Sequence, residues 1–251
     1  MRDGLNGRAA AVVLARSGER IEAGEVVLTA GALSSPVVLM RSGVGPANEL
    51  ARAGVKPVHH LSGVGHGLCR GSGSVRAPGL QVLMRTGRAR REHFARFLIS
   101  ALKPTSEGSL RLCSPDPYEP ALIHRGLLRE RADTLTLAEG MRAAREIATA
   151  DPIAGLLESK EDAQPPGEVQ EDGSLMERWL RENVRSYHHP VGTCRIGPDP
   201  AKGAVVSSEG TLYGLGGLTV ADASIMPCIP SANTNLSTIM LAEHLARHFD
   251  G

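Results

Sequence analysis

Hydrophobic positions are scattered at the start of the chain and first become regular at Val26, Val27 and Leu28, a short run that stops at Ala30-Gly31. It predicts a buried strand over 26–29. Ser35 then suits a helix cap, Pro36 the first helical position and Gly43 the stop, so 37–41 is expected to be helical. A strand, glycine turn and helix in this order bring backbone N–H groups to the carboxyl end of a strand. Open α/β sheets bind nucleotides at that place, although most such units bind nothing. From 59 to 75 the chain is rich in glycine, but Gly63, Gly65 and Gly67 lack the G-x-G-x-x-G spacing and following helix of a phosphate cradle. A connecting loop is expected there.

Phe94, Phe97, Leu98, Ala101 and Leu102 recur at helical spacing opposite Arg90, Arg91 and Arg96, which predicts an amphipathic surface helix. Leu110 and Leu112 alternate before Pro115, Pro117 and Pro120, as in an edge strand running into turns. A helical pattern covers 135–150, a charged loop with prolines covers 158–174, and a helix containing Trp179 follows. Near the end, 218–220 reads as a buried strand entering Ala221-Asp222-Ala223, where a carboxylate beside backbone amides suits a ribose or ribityl hydroxyl. For Asp222 the alternative is simple turn capping. Ser231, Asn233 and Asn235 are caps for a last helix whose face carries Ile239, Ala242, Leu245, Ala246 and Phe249, widened by Leu236 and Met240. The entrance of that helix is expected to be buried, with its positive dipole end available to a negative ligand. The elements together predict an α/β fold of mixed α+β character.

Composition narrows the function. The 251 residues fit one large domain or two small ones, and 41% hydrophobic with only 3% aromatic residues implies an aliphatic core. A net charge of +1, from 28 basic and 27 acidic residues interspersed, gives no footprint for nucleic acid or an anionic membrane. The expected partner is a small molecule. Cys69, Cys113, Cys194 and Cys228 show no C-x-x-C spacing and read as reduced thiols. No apolar run approaches the roughly 20 residues of a membrane helix. A protein without an integral membrane segment, in the cytoplasm, is the expectation.

The stretch SYHHPVGTCRIGPDP, 186–200, sets His188 and His189 before Pro190 and then turns through Gly192. Pro190 biases His189 toward an extended backbone and Gly192 lets the chain bend, so the imidazole can be aimed consistently. His188 is expected on the other face, because successive strand residues alternate. On the residues alone, two ordinary polar side chains at a strand end account for the pair as well as a catalytic base does. A metal site of His188, His189, Cys194 and Cys228, for hydrolysis, matches no common zinc spacing, and no metal is expected.

Taken together, GALSSPVVLMRSGVGP, HPVGTCRIG and GLTVADASIMPCIPSANTNLSTIMLAEHLA resemble, in order, three signatures of the glucose-methanol-choline (GMC) flavin-dependent oxidoreductases, choline and alcohol dehydrogenase-like branch. The stretch 105–147 is also similar. The resemblance implies an incomplete GMC-type FAD-binding domain packed on a sheet-containing substrate domain: FAD-binding parts at 1–70 and 214–251, and an abbreviated substrate domain at 71–213. It implies FAD as cofactor and oxidation of a primary or secondary alcohol by hydride transfer to flavin. His189 matches the catalytic acid/base and Asn235 the second polar group, which orients the hydroxyl. Ala30 and Gly31 match a segment near the adenosine half of FAD, Asp222 and Ala223 match contacts to the FAD chain, and Asn233 and Thr234 fall in the cofactor-binding ending.

The departures are as informative. The family's opening strand and G-x-G-x-x-G helix are not found in these residues, and Gly67 stands where asparagine is usual. The expectation is therefore a C-terminal portion of such an enzyme, completed by an N-terminal half or a partner chain. The alternative is a non-catalytic remnant or subunit that does not hold FAD alone; a lyase that keeps FAD without redox turnover is a smaller alternative. Choline, aliphatic, aryl and sugar alcohols are all compatible with the sequence, and the electron acceptor and oligomeric state are not legible.

Overall fold

A computed structural model of the chain describes residues 7–68, 79–89, 92–156 and 164–248. The chain divides into two compact units, one of 1–70, 107–126 and 188–251, the other of 71–106 and 127–187. These boundaries differ from cuts at 70 and 213, because backbone pairing draws two interior segments into the first unit. Gly108–Arg111 pairs antiparallel with both Leu122–His124 and His66–Leu68. The stretch after His189 bonds to Ala223–Ile225 through the N–H groups of Gly192, Cys194 and Ile196.

In the first unit Val26–Leu28 lies parallel to Leu218–Val220, the pairing of two short apolar runs from opposite ends of the chain. The expected strand at 26–29 is present but not buried throughout, since Val27 is 45% exposed. The helix after it, Gly31–Arg41, starts four residues before the expected cap. Gly31 has φ +85°, which turns the chain straight out of the strand region, and Ser35 and Pro36 sit buried inside the helix. Pro36 has no N–H for the Ala32 carbonyl four residues back, and Thr193 fills that need with a 2.6 Å hydroxyl donation. The core around this helix is aliphatic, with Leu39, Met40, Leu50, Val64, Leu110, Val205, Ile225 and Leu245 all nearly inaccessible.

The glycine-rich 59–68 stretch is knitted in rather than loose. His59–His60 pairs with Val44–Gly45, Gly65 N–H donates to the Thr193 carbonyl, and Leu110 N–H donates to the Gly65 carbonyl. The remainder, 69–78, with Cys69, lies outside the described residues. Gly108–Arg111 is the central strand of its sheet, not an edge; the prolines that suggested an edge all follow it.

The second unit corrects the amphipathic-helix expectation. Glu92–Ala101 is a strand, paired antiparallel with Leu80–Ala89 from Leu80↔Ala101 to Ala89↔Glu92. The helical spacing there is outweighed by cross-strand pairs such as Leu83↔Leu98 and Val82↔Ile99, for which the preceding run Leu80 to Met84 supplies the partner. Arg90 and Arg91 lie outside the described residues. Helix Arg131–Thr149 begins four residues before the expected 135–150 and ends one residue short of it, and helix Gly173–Asn183 contains Trp179. Leu128, Leu137, Ala138, Met176 and Leu180 form this unit's core with Leu80 and Ile99 of the hairpin packed on it. Residues 157–163, which include the first part of the charged loop, are outside the described residues. Among the described residues no helix is long and apolar enough to cross a membrane.

Candidate active site

The parallel strands Val26–Leu28 and Leu218–Val220 end side by side, and Asp222 ties those ends together. Its Oδ1 accepts from Ser224 N–H at 2.7 Å; its Oδ2 accepts from Gly31 N–H at 2.8 Å and from the Ser35 hydroxyl. The side chain is buried, 4% exposed. Asp222 thus acts as a cap for the turn Ala223–Ile225 and, across the sheet, for the helix that begins at Gly31. The capping alternative raised by the sequence is realised. Ala30 and Ala223 flank this corner, Ala30 exposed and Ala223 half-buried.

His189 lies in a segment that is not a regular strand. Its donors alternate along 192, 194 and 196, but the acceptors belong to a 3₁₀ turn, so no ladder forms. His188 has φ +63°, a left-handed conformation that histidine tolerates better than most residues, and this bends the chain just before His189. Val191, Thr193 and Cys194 are fully buried behind it. His189 Nδ1 stands 3.1 Å from Thr234 Oγ1. Thr234 is the first residue of helix Thr234–Ala246, and Asn235 follows it, exposed on the same turn. Asn233 is the N-cap residue, without a side-chain cap hydrogen bond.

The entrance of this helix is not buried, contrary to expectation. The helix reaches the core through Leu241 and Leu245, one turn apart near its far end, while Leu236, Ile239 and Met240 are 77%, 50% and 59% exposed. Phe249 lies outside the described residues.

Behind His189 the chain passes very close to the glycine-rich segment. A Cβ on Gly192, at φ +88°, would stand 2.6 Å from the Gly67 carbonyl oxygen, which no real contact allows. Among the described residues a Cβ on Gly67, at φ +74°, meets only Gly192 O at 3.5 Å and Arg195 Nη1 at 3.8 Å. Gly67 also faces an open cleft of about 340 Å³, lined by His66, Glu107, Arg195 and Lys202 among others. Gly192→Ala is therefore expected to destabilise by roughly 2–4 kcal/mol, through strain at positive φ and a backbone shift. Gly67→Asn is expected to cost less than about 1 kcal/mol, since asparagine accepts the left-handed region. Urea unfolding midpoints of the two variants check this pair; equal losses would contradict it.

Cys194 serves packing. Burial pushes the Cys194 thiol well above its ordinary 9.0, and the Asp222 charge adds to the rise. Cys113 is exposed and Cys228 half-buried, both free. In the native chain a thiol reagent at neutral pH is expected to modify Cys113 and leave Cys194 intact until denaturant is added; mass mapping of early Cys194 modification would contradict its burial. A folded-state value raised this way keeps the thiol protonated while the unfolded thiol ionises. Cys194 consequently favours unfolding as pH rises past 9.0. Among the described residues no group of three His, Cys, Asp or Glu side chains is placed to hold a metal ion.

With this geometry in hand, comparison with known proteins is decisive on ancestry. Family models described as GMC oxidoreductase match residues 104–242 and 3–70, in the C-terminal and N-terminal regions of the family. The chain belongs to the GMC oxidoreductase family. It is 35% identical to 5-(hydroxymethyl)furfural oxidase of Methylovorus sp. (strain MP688), over 94% of this chain and 52% of that protein. It is 30% identical to an oxygen-dependent choline dehydrogenase of Serratia proteamaculans (strain 568), over 97% of this chain and 53% of that protein. The structure of pyridoxine 4-oxidase from Mesorbium loti superposes with a TM-score of 0.86 at 27% identity, covering 99% of this chain and 56% of that one. This GMC chain thus spans about half the length of the relatives it matches.

Proposed function

We propose that this GMC chain serves the FAD-dependent oxidation of a primary or secondary alcohol, with His189 as acid/base and Asn235 orienting the substrate hydroxyl. The observation that carries the reading is the 3.1 Å contact between His189 Nδ1 and Thr234 Oγ1, which sets the imidazole at the helix entrance beside Asn235. The residues present fit the cofactor. Helix Thr234–Ala246 lacks a side-chain cap, and among the described residues a Cβ on Gly31 would meet nothing within 4 Å, so the chain at both places is open to a ligand. Ala30, Gly31, Asp222, Ala223, Asn233 and Thr234 are assigned to holding FAD, with Asp222 acting by shaping the corner. Bound FAD supplies the hydride acceptor. His189 takes the hydroxyl proton, for which an imidazole suits neutral pH, and the Asn235 amide holds the oxygen.

In this reading residues 1–70 and 214–251 serve the cofactor side and 71–213 the substrate side. The names of the relatives, a 5-(hydroxymethyl)furfural oxidase and an oxygen-dependent choline dehydrogenase among them, both compounds that carry a hydroxyl group, support an alcohol as the substrate class. Anaerobic mixing of the FAD-loaded chain with choline, aliphatic, aryl and sugar alcohols tests the reading. Bleaching of the flavin absorbance by at least one class is expected; stoichiometric FAD that no class bleaches would overturn it.

A second reading is favoured by one observation. Leu236, Ile239 and Met240 on the helix, together with Val27 of the parallel pair, leave apolar surface in solvent, whereas parallel sheets are normally covered on both faces. The chain is then a subunit or remnant of such an enzyme, able to fold but not to retain FAD without a covering segment.

A further inference from the structure

Ser62, Gly63 and Gly67 of the glycine-rich stretch meet Arg195, Lys202 and Gly203 around one open cleft of about 340 Å³, wholly within the first unit. Backbones approach closely there. A Cβ on Gly63 would stand 2.2 Å from the Gly203 carbonyl oxygen, and one on Gly203, at φ +83°, would stand 2.8 Å from Arg195 Nη2. None of the residues assigned to FAD or to the alcohol lines the cleft. Arg195 Nε donates to the Gly203 carbonyl at 3.2 Å and Nη2 to the Lys202 carbonyl at 2.7 Å, so backbone oxygens already hold the guanidinium in place. Nη1 is left over. It has no hydrogen-bond partner among the described residues, and it lies 3.8 Å from where a Cβ on Gly67 would stand. The Lys202 ammonium and the Ser62 hydroxyl likewise have no partner among the described residues. The other ionisable groups of the cleft are engaged: His66 Nε2 faces Glu49 Oε1 at 3.5 Å, and Glu107 has an interaction of its own.

We propose that this cleft binds a small molecule through an oxyanion, a phosphate or a carboxylate, held by Arg195 Nη1 and Lys202 with the Ser62 hydroxyl as a third donor. The site is separate from His189 and does not depend on its role. Guanidinium, ammonium and hydroxyl all donate, and an acceptor with several oxygens satisfies them together. The Glu107 charge opposes an anion, and the two cations without a carboxylate partner outweigh it. Because the backbone already orders Arg195, little side-chain entropy is lost when the anion arrives. The volume falls at the lower end of the roughly 300–1,000 Å³ of small-molecule sites, so there is room for the oxyanion and a small organic group that carries it.

Isothermal titration calorimetry of the 251-residue chain with inorganic phosphate, and separately with acetate, tests the proposal, with ionic strength held constant by sodium chloride. Saturable one-to-one binding of at least one anion is expected; phosphate alone assigns a phosphoryl group, and acetate assigns a carboxylate. Lys202→Gln, at an exposed side chain, is expected to weaken that binding roughly 10-fold. Gly67→Asn places an amide oxygen within reach of Nη1 inside the cleft and is expected to abolish it. Circular dichroism and urea midpoints close to the parent's separate lost binding from a lost fold. No saturable binding of either anion, or equal affinity in the parent and both variants, would overturn the proposal. Displacement of the anion by FAD would overturn it too, because the cleft would then belong to the cofactor site.

Discussion

Replacing His189 with alanine is expected to slow single-turnover reduction of bound flavin by alcohol roughly 10²–10⁴-fold, the range for losing general acid–base assistance. FAD retention is expected to change little, because none of the residues assigned to the cofactor is altered. The two effects separate in one preparation: the absorbance ratio of protein to flavin reports retention, and anaerobic stopped-flow reports the rate. Parallel loss of both would assign His189 to cofactor binding. An unchanged rate would remove it from the chemistry.

Asp222→Ala is expected to be the most damaging single change to stability. It strands the N–H groups of Gly31 and Ser224 and the hydroxyl of Ser35, three donors that now share one buried carboxylate. At about 1–3 kcal/mol for each stranded donor, the loss is roughly 3–9 kcal/mol, a large share of the 5–15 kcal/mol typical of a domain. Ser35→Ala removes one of the three donors and leaves the others paired, so about 1 kcal/mol is expected. Urea unfolding in the absence of FAD measures both. Because no cofactor is present, a large Asp222→Ala loss reports the structural role alone; a loss below about 1 kcal/mol would show that the corner does not depend on the carboxylate.

What the sequence revealed and what it hid follow from range. The run at Val26 to Leu28, the pattern ending in helix Arg131–Thr149 and the helix around Trp179 are local periodicities, and each appears in the structure. Helix Gly31–Arg41 was misplaced at its start because its first N–H is satisfied by Asp222, 191 residues away. Glu92–Ala101, the second strand of the hairpin with Leu80–Ala89, reads as a helix in the sequence because spacing within one segment says nothing of a partner strand. The apolar arc of the last helix was legible, but which part of it meets the core was not, since that depends on where Leu241 and Leu245 land. For the site, His189 and the neighbourhood of Asn235 were nameable from a resemblance. The contact of His189 with Thr234 was not, because it joins two segments whose approach is set by the bonds between 192–196 and 223–225.

The central claim is that this chain builds an FAD site around His189, and the measurement that meets it most directly is flavin stoichiometry. The purified chain is reconstituted with excess FAD, freed of unbound flavin, and read by its visible spectrum, with circular dichroism to establish folding. The account predicts one flavin per chain with a perturbed absorbance band. A folded chain that emerges colourless would contradict it, and would leave the second reading, a GMC subunit that needs a covering segment, as the account of these residues.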